Sequence, residues 1–231
     1  LTAIDQSTDT CTNNFATLNP LDTVSNITLS EGNTFFRPQA NGLEFGGTIT
    51  MYAANGKWYA EFKYLENDDY LIIGITNPFT ATYLRQQNHH PGWDSAGGSI
   101  GFNARDGRIF KQNSASSYGN AITNNDIISL AFDQDNYKFY VGLNGTWQNS
   151  GNPATNSNGV DYSSLPLAND FVGFMFGNAG AGYDNINANF GSPAFAISSG
   201  NTDGNGYGNF EYAVPSGFFS LCTKNLAEYG G

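Results

Sequence analysis

Two histidines and an aspartate stand close together near the middle of the chain, in the run His89-His90-Pro91-Gly92-Trp93-Asp94. Imidazole nitrogens and carboxylate oxygens are common metal ligands. Adjacent side chains of an extended segment point in opposite directions, however, and the chain has no third histidine and no cysteine cluster. We therefore predict no metal and no other cofactor. The run is interpreted as an exposed loop with Trp93 packed against a sheet or, alternatively, as part of a contact surface.

A second run, from Asp203 to Asn209, carries oxygen-bearing side chains on alternate residues, separated by glycines. Carboxylate and amide oxygens are the ligands that calcium prefers, and EF-hand loops begin in the same way. The later ligands of such a loop, including its final glutamate, do not follow in this sequence. We interpret the run as a glycine-rich surface loop, and calcium binding near Asp203 stays open as an alternative.

Paired carboxylates for hydrolysis are missing along the predicted strands. A glycosidase needs two carboxyl groups about 5–9 Å apart across the sugar, which on one strand means acidic residues at i and i+2 or i+4. Glu61 has no such partner, and Glu66, Asp68 and Asp69 fall where a solvated turn is expected. The chain has no GxSxG motif and no cysteine beside a histidine. We therefore predict a protein that is not an enzyme.

The elements that would position contact residues are strands, and the clearest of them form a hairpin within residues 126–147. Side chains alternate with a period of two in residues 127–132 and again in 139–144. The intervening residues 133–137 are rich in Asp and Asn, which favour tight turns. An Asn-Gly pair at 144–145 predicts a second turn before Trp147.

Short strands separated by turns are predicted along most of the chain. Residues 1–25 predict an irregular N-terminal segment, and residues 26–29 and 43–45 predict edge strands. Further strands are predicted at 48–52, 57–64, 70–76, 99–102, 108–111, 126–133, 137–144, 171–176 and 187–190, with long connections at 77–98, 112–125, 148–169 and 198–212. No segment predicts a long amphipathic helix, and residues 226–229 are too few for one. The pattern predicts an all-β antiparallel sandwich.

Five segments, in order along the chain, resemble motifs of the SPRY domain family. They are 56–62 (GKWYAEF), 73–76 (IGIT), 99–110 (SIGFNARDGRIF), 126–147 (DIISLAFDQDNYKFYVGLNGTW) and 187–195 (NANFGSPAF). Asn125 stands where the family usually has glycine. The resemblance implies a bent antiparallel two-sheet sandwich of the concanavalin-like type, in which loops between the strands form the partner surface.

Three further segments, residues 13–20, 144–153 and 215–226, resemble SPRY-containing virion proteins of tailed bacteriophages, especially marine ones. This narrower resemblance implies a location on the surface of a phage particle, on a tail fibre or on the capsid. It implies that the partners are other virion proteins or a host-surface protein or glycan. Phage surface modules are often homo-oligomers, so a homo-oligomer is also compatible with it.

Charge and composition exclude several other classes. The formal net charge of −11 repels nucleic-acid phosphates, so no nucleic-acid partner is predicted. The glycine-rich run 177–182 lacks the Lys-Ser/Thr of a phosphate-binding loop. The sequence contains no stretch of about 18 apolar residues, so no membrane span is predicted.

The resemblance divides the chain into an N-terminal segment with edge strands (1–55), the SPRY core (56–197), and a C-terminal loop and tail (198–231). The chain begins with Leu, and no basic segment precedes an apolar run, so we expect a processed, trimmed or partial chain. Cys11 and Cys222 lie near opposite ends of the sequence, where sandwich termini often meet. They form either a disulfide that ties the ends or two inert buried thiols.

These observations predict a non-catalytic binding or structural module. Aromatic, arginine and histidine side chains in predicted loops are the candidate contacts, because aromatics and arginine anchor interfaces. They are Tyr83, Arg85, His89, His90, Trp93, Arg105, Tyr118 and Trp147. For Trp147, as for Trp58, the alternative is a place in the core. Two other functions stay open: an intracellular SPRY adaptor that binds a peptide and, disfavoured by the missing carboxylate pair, a concanavalin-like carbohydrate-active enzyme.

Overall fold

Short strands form most of the regular structure. The computed structural model describes residues 9–39, 42, 44–65, 71–178 and 184–231. In chain order the strands are β1 (Leu18–Thr23), β2 (Ile27–Ser30), β3 (Phe35–Pro38), β4 (Phe45–Ile49), β5 (Lys57–Tyr64), β6 (Leu71–Thr76), β7 (Ser99–Asn103), β8 (Arg108–Lys111), β9 (Ser114–Ser117), β10 (Ile127–Asp133), β11 (Lys138–Leu143), β12 (Thr146–Trp147), β13 (Val160–Asp161), β14 (Gly173–Asn178), β15 (Ile186–Asn189) and β16 (Phe219–Ser220). The helices are α1 (Pro78–Gln87) and α2 (Thr223–Tyr229).

The strands form two sheets. Sheet A has the order β1-β4-β14-β6-β7-β8-β9, and sheet B has the order β12-β11-β10-β5-β15-β3-β2, with β13 beside β11 and β16 beside β5. The β16–β5 pair is parallel, and every other pair among the described strands is antiparallel. The prediction of an all-β, two-sheet antiparallel sandwich is confirmed.

The main core lies between the two sheets, where alternate residues of each strand meet. Trp58 and Phe62 of β5 are fully buried in it. Edge-to-face ring contacts join the sheets: Phe174 of β14 lies 5.9 Å from Phe62 and 5.1 Å from Phe132, measured between ring centroids. Trp58 therefore serves the core, and its indole N–H donates to the carbonyl oxygen of Asn55.

The hairpin predicted within residues 126–147 is confirmed. β10 and β11 pair in an unbroken antiparallel register. Asp133 Oδ1 accepts hydrogen bonds from the backbone N–H groups of Asp135 and Asn136, which shapes the turn. Asn144 and Gly145 then adopt φ angles of 47° and 78°, the positive values that a tight type I′ turn requires.

A C-terminal strap, residues 198–221, packs on the outer face of sheet B. Phe210 and Phe218 of the strap form a second buried cluster with Tyr59, Ala131 and Tyr140 of the sheet. The rings of Tyr59 and Phe210 meet edge to face with centroids 5.1 Å apart. The strap therefore buries positions of β5, β10 and β11 that alternate away from the main core.

The N-terminal part differs from its prediction in several places, among them β3, which was not predicted, and β4, which lies at 45–49 instead of 48–52. β1 occupies residues that were predicted to be irregular, and it tolerates Pro20 because an edge strand has one side without sheet partners. As a result β4 lies second from the edge of sheet A, so the prediction of an edge strand at 43–45 was wrong, although Leu43 lies outside the described residues. β2 is an edge strand of sheet B, as predicted.

Both helices lie where no helix was predicted. α1 occupies ten residues of the connection 77–98, and α2 occupies seven residues near the C-terminus. Helices this short depend on packing against the body of the protein for their stability. In the described part of the chain, neither helix has the length and apolar character needed to cross a lipid bilayer.

Two predictions fall on residues outside the described ranges. Glu66, Asp68 and Asp69, predicted to form a solvated acidic turn, lie there, as do residues 179–182 of the glycine-rich run. Both stay predictions.

Candidate functional site

Helix α1 carries two of the predicted contact residues, and its ends are set by local sequence. The side chain of Asn77 caps the N-terminus, accepting a hydrogen bond of 2.7 Å from the backbone N–H of Thr80, and Pro78 occupies the first turn. Asn88 ends the helix in a left-handed conformation, with φ of 54°. Leu84 packs with Phe45 and Met175 of sheet A, which fixes the helix on the outer face of that sheet.

The opposite side of α1 leaves large apolar side chains in solvent. Phe79 is 80% exposed and Tyr83 is 42% exposed. Because they are four residues apart, they lie on the same side of the helix. Arg85 forms an ion pair with Asp22 of β1, with 2.6 Å between Nη1 and Oδ1. This contact brings β1 beside α1. Leu21, the preceding residue of β1, is 90% exposed, and consecutive side chains of a strand point to opposite sides.

The two histidines follow α1 and connect it to Trp93. The ring of His89 meets that of Tyr83 edge to face at 6.4 Å, and the ring of His90 lies 5.5 Å from that of Trp93. His90 is buried against Phe110, and this burial lowers its pKa below the ordinary 6.5. Trp93 stays 37% exposed. Ring contacts therefore join His89 to Tyr83 and His90 to Trp93, and the predicted contact His90 is itself buried beneath the exposed Trp93.

Asp94 shapes the loop that follows. Its Oδ1 accepts hydrogen bonds from the backbone N–H groups of Gly97 and Gly98, at 2.5 and 2.8 Å, and Oδ2 accepts one from the Ser99 hydroxyl. Asp94 is buried and both of its oxygens are engaged. Among the described residues, no group of three or more His, Cys, Asp or Glu side chains lies close enough to hold a metal ion.

We call the exposed side of α1 that carries Phe79 and Tyr83, together with the adjoining loop of His89 and Trp93, the docking face. The described part of the chain has five large hydrophobic side chains that are exposed, and three of them belong to this face. Leu21 lies on β1, and Phe171 belongs to a different neighbourhood, beside Ala54 and Asp170. Exposed apolar side chains of this kind are typical of protein interfaces.

The structure does not bring the remaining predicted contacts to the docking face. Arg105 is exposed in the turn between β7 and β8. Tyr118 is buried beside Phe102 in the main core, so we leave it out of the candidate surface. Trp147 lies on the outer face of sheet B, half-buried between the rings of Tyr59 and Tyr140.

Sequence reasoning missed Phe79 and Leu21. A signal for Phe79 was present, because Asn77-Pro78 is a typical helix start and a helix would have placed Phe79 beside Tyr83. Leu21 had no such signal, since its exposure depends on the position of β1 at the sheet edge.

Asp203, considered above as a calcium ligand, is a buried anchor of the C-terminal strap. Oδ1 accepts hydrogen bonds from the backbone N–H groups of Asn205 and Tyr207. Oδ2 accepts from the N–H and hydroxyl of Ser220 and from the Asn225 amide. The glycine-rich run is thus at the surface, as interpreted, but its first carboxylate points inward and is satisfied by protein donors.

The ends of the described chain meet, but the cysteines are not bonded to each other. Residue Phe15 pairs with Cys222 in an isolated antiparallel bridge, and the backbone N–H of Ala16 donates to the carbonyl oxygen of Leu221. Cys222 is a buried thiol, whereas Cys11 is exposed. The structure therefore matches neither the disulfide nor a pair of buried thiols.

Comparisons with known proteins agree on the fold alone. No family model and no curated protein sequence matches this chain. Among solved structures, the SPRY domain of human HERC1 matches with a TM-score of 0.51 and 11% identity, over 74% of this chain and 96% of that one. The TRIM65 PSpry domain matches with a TM-score of 0.54 and 12% identity, over 76% of this chain and 92% of that one. Stonustoxin matches with a TM-score of 0.53 and 14% identity, over 76% of this chain but 27% of its own. At these identities the likeness is one of architecture, and the chain has the fold of SPRY domains.

Proposed function

We propose that this protein is a binding module that captures a partner protein on its docking face. The observation that carries the proposal is that α1 and the loop that follows it expose three large apolar side chains, Phe79, Tyr83 and Trp93, since large exposed apolar residues on monomers mark interaction sites. The SPRY fold supports it, because the resemblance implies a partner surface built on segments between strands. The absence of a carboxylate pair along the strands, noted from the sequence, favours non-covalent recognition over catalysis.

The docking face is suited to rigid recognition. Leu84 of α1 is buried on sheet A, and the helix is capped at both ends, so Phe79 and Tyr83 project from a fixed support. The Arg85–Asp22 ion pair, 2.6 Å long, ties the helix to β1 and so helps to fix its position. Preorganisation of this kind lowers the entropic cost of binding.

Site-specific photo-crosslinking tests the proposal. A benzophenone amino acid at Tyr83 is expected to crosslink a distinct partner from host extract, and the same group at Phe171 is the matched control, because both positions are exposed aromatics. Replacing Tyr83, Arg85 and Trp93 together by alanine should abolish capture and leave the fold intact. Equal crosslinking from both positions, or full capture by the folded triple variant, would overturn the proposal.

A particle-borne location is the second part of the proposal. Two of the segments that resemble phage virion proteins, 13–20 and 215–226, lie side by side through the Phe15–Cys222 and Ala16–Leu221 backbone contacts. On this view the partner is another virion protein or a host-surface protein or glycan. Mass spectrometry of purified phage particles is the test, and a protein that is produced in infected cells but missing from washed particles would refute the location.

A further inference from the structure

A cavity of about 370 Å³ lies on the outer face of sheet B, between the β11–β12 turn and the C-terminal strap. Its volume is within the range of about 300–1,000 Å³ that small-molecule sites occupy. The residues that matter to its chemistry are Tyr59, Ser129, Gly142, Trp147, Tyr212 and Ala213. None of them belongs to the docking face, so this cavity is a separate feature of the molecule.

Aromatic rings form the walls of the cavity. Tyr59 and Trp147 stand at 69° to each other with centroids 6.3 Å apart, so they enclose a corner, and Tyr212 of the strap supplies a third ring. Gly142 keeps the corner open. A side-chain carbon at that position would lie 3.2 Å from Cβ of Ser129 and 3.3 Å from the Trp147 ring.

A carboxylate lies directly behind these walls. Glu61 Oε1 accepts hydrogen bonds from the Tyr59 hydroxyl, at 2.9 Å, and from the backbone N–H of Tyr212, at 2.8 Å. Oε2 accepts from the backbone N–H of Glu211 and from the Asn189 amide. Four donors of this kind suit an ionised carboxylate.

The negative charge of Glu61 has no protein counter-ion. Glu61 is fully buried, and no Lys, Arg or His forms an ion pair with it within the described ranges. Lys63, two residues along β5, places its ammonium over the ring of Phe195 instead. Burial, together with the charges of Glu211, Glu61 and Asp126, raises the pKa of Tyr212. Because Glu61 is hydrogen-bonded to Tyr59 and to the backbone of Tyr212, its carboxylate lies next to the cavity, whose lining contains no charged side chain.

We propose that this cavity binds an alkylated ammonium cation, held by cation–π contacts with Trp147 and Tyr212 above the buried Tyr59 and by the charge of Glu61. Converging aromatic rings attract such cations through their electron-rich faces. An anion would be repelled by Glu61, and a neutral ligand would leave this buried charge uncompensated. The ligand is either a small choline-type amine or a methylated lysine side chain, which share this chemistry. The site goes beyond the proposed docking function and does not depend on it.

Titration of the full chain with choline and with 3,3-dimethylbutanol tests the proposal. The alcohol has the same shape as choline without the charge. Calorimetry and the indole N–H signal of Trp147 should show saturable choline binding, roughly tenfold tighter than that of the alcohol. Titration with an acetylated trimethyllysine amide shows which of the two ligands the cavity prefers. Tighter binding than that of choline indicates a methylated protein, and weaker binding indicates a free amine or headgroup.

Substitutions at Ala213 supply the matched pair of variants, because this residue lines the cavity and is exposed. Ala213→Glu should tighten choline binding and Ala213→Lys should weaken it, each by roughly threefold, while binding of the alcohol stays unchanged. Trp147→Leu should abolish binding, with Phe171→Leu, an exposed aromatic outside both the cavity and the docking face, as the control. If Trp147→Leu does not fold, the opposite effects of the two Ala213 substitutions on choline binding test the proposal in its place.

Three results would overturn the proposal. One is equal affinity for choline and the alcohol. Another is the lack of saturable choline binding up to about 100 mM. The third is tighter binding of a neutral methyl glycoside than of choline, which would identify a sugar pocket instead.

Discussion

The carboxylate of Glu61, in the middle of β5, accepts a hydrogen bond of 2.8 Å from the backbone N–H of Tyr212, 151 positions later in the chain. Through this contact and the bond from the N–H of Glu211, one buried side chain fastens the C-terminal strap to sheet B. The same face carries the Tyr59, Phe210 and Phe218 cluster. The strap is therefore held by both apolar packing and a buried polar anchor.

Removing the charge of Glu61 should weaken this attachment. Glu61→Gln keeps the shape but turns an NH₂ group toward two of the four donors. We expect the free energy of unfolding to fall by about 1–3 kcal/mol at neutral pH, because buried donors lose their acceptor. Urea denaturation measures it. The control is Glu228→Gln on exposed α2, expected within about 0.5 kcal/mol of the unmodified protein, and equal stability of the two variants would argue against the anchor.

The pH dependence of stability should carry a contribution from Glu61. Burial raises its pKa above the ordinary 4.5, although the four hydrogen bonds oppose this. The folded carboxyl then binds its proton more tightly than the unfolded one. This contribution is fully present below the unfolded pKa and is lost as the pH rises through the folded pKa. The difference in unfolding free energy between the unmodified protein and Glu61→Gln should therefore become smaller as the pH rises through this range. Urea denaturation at several pH values measures it. A difference that grows with pH would contradict a raised pKa of Glu61.

Close approach of β6 and β7 requires glycine at position 74. Gly74 lies opposite Gly101, and a Cβ there would stand 1.9 Å from the carbonyl oxygen of Ile100. We expect Gly74→Ala to destabilise the protein by about 2–4 kcal/mol, since backbone cannot move aside as a flexible side chain can. Gly204→Ala is the control, because its Cβ would meet an ordinary contact of 3.7 Å with the ring of Phe219. Thermal unfolding of both variants measures the difference. A loss of stability in Gly74→Ala no larger than that in Gly204→Ala would refute the tight packing of β6 against β7.

Asp203 should behave as a structural anchor that needs no calcium. Asp203→Asn replaces an acceptor with a donor facing the N–H groups that the carboxylate satisfies, so we expect a loss of about 1–3 kcal/mol. Asp106→Asn, which breaks the exposed ion pair with Arg108, should cost at most about 1 kcal/mol. Added calcium or chelator should shift Tm by less than about 1 °C, whereas a large rise in Tm with calcium would restore the calcium-loop interpretation.

Local patterns were sufficient for the central hairpin and for the strands of the SPRY-like core, but not for β1, β3, β9 and β13. Alternation over residues 127–132 and 139–144 depends on the pleat of each strand, and Asn144-Gly145 specifies its turn through its own dihedral angles. Helix α1 was missed because Asn77-Pro78 was treated as part of a loop. Its capping residues were nonetheless visible in the sequence.

For the candidate contact residues, by contrast, local sequence patterns were not sufficient. Tyr83, Arg85 and Trp93 were chosen for their residue types, and only the packed structure shows that Arg85 pairs with Asp22, 63 positions away, while Tyr83 and Trp93 stay exposed. Tyr118 had the same type of side chain but is buried, because its ring packs beside Phe102 in the core. Exposure is a property of the packed molecule, so side-chain type alone could not separate the two cases.

By itself the sequence determined the all-β architecture and the central hairpin with its turns, because these follow from backbone preferences over a few neighbouring residues. Only the tertiary structure decided that Glu61 and Asp203 are internal anchors and that an aromatic cavity opens beside Tyr212. Those features arise where β5 meets a strap about 150 residues away. No short-range pattern can specify which distant donors a carboxylate will meet.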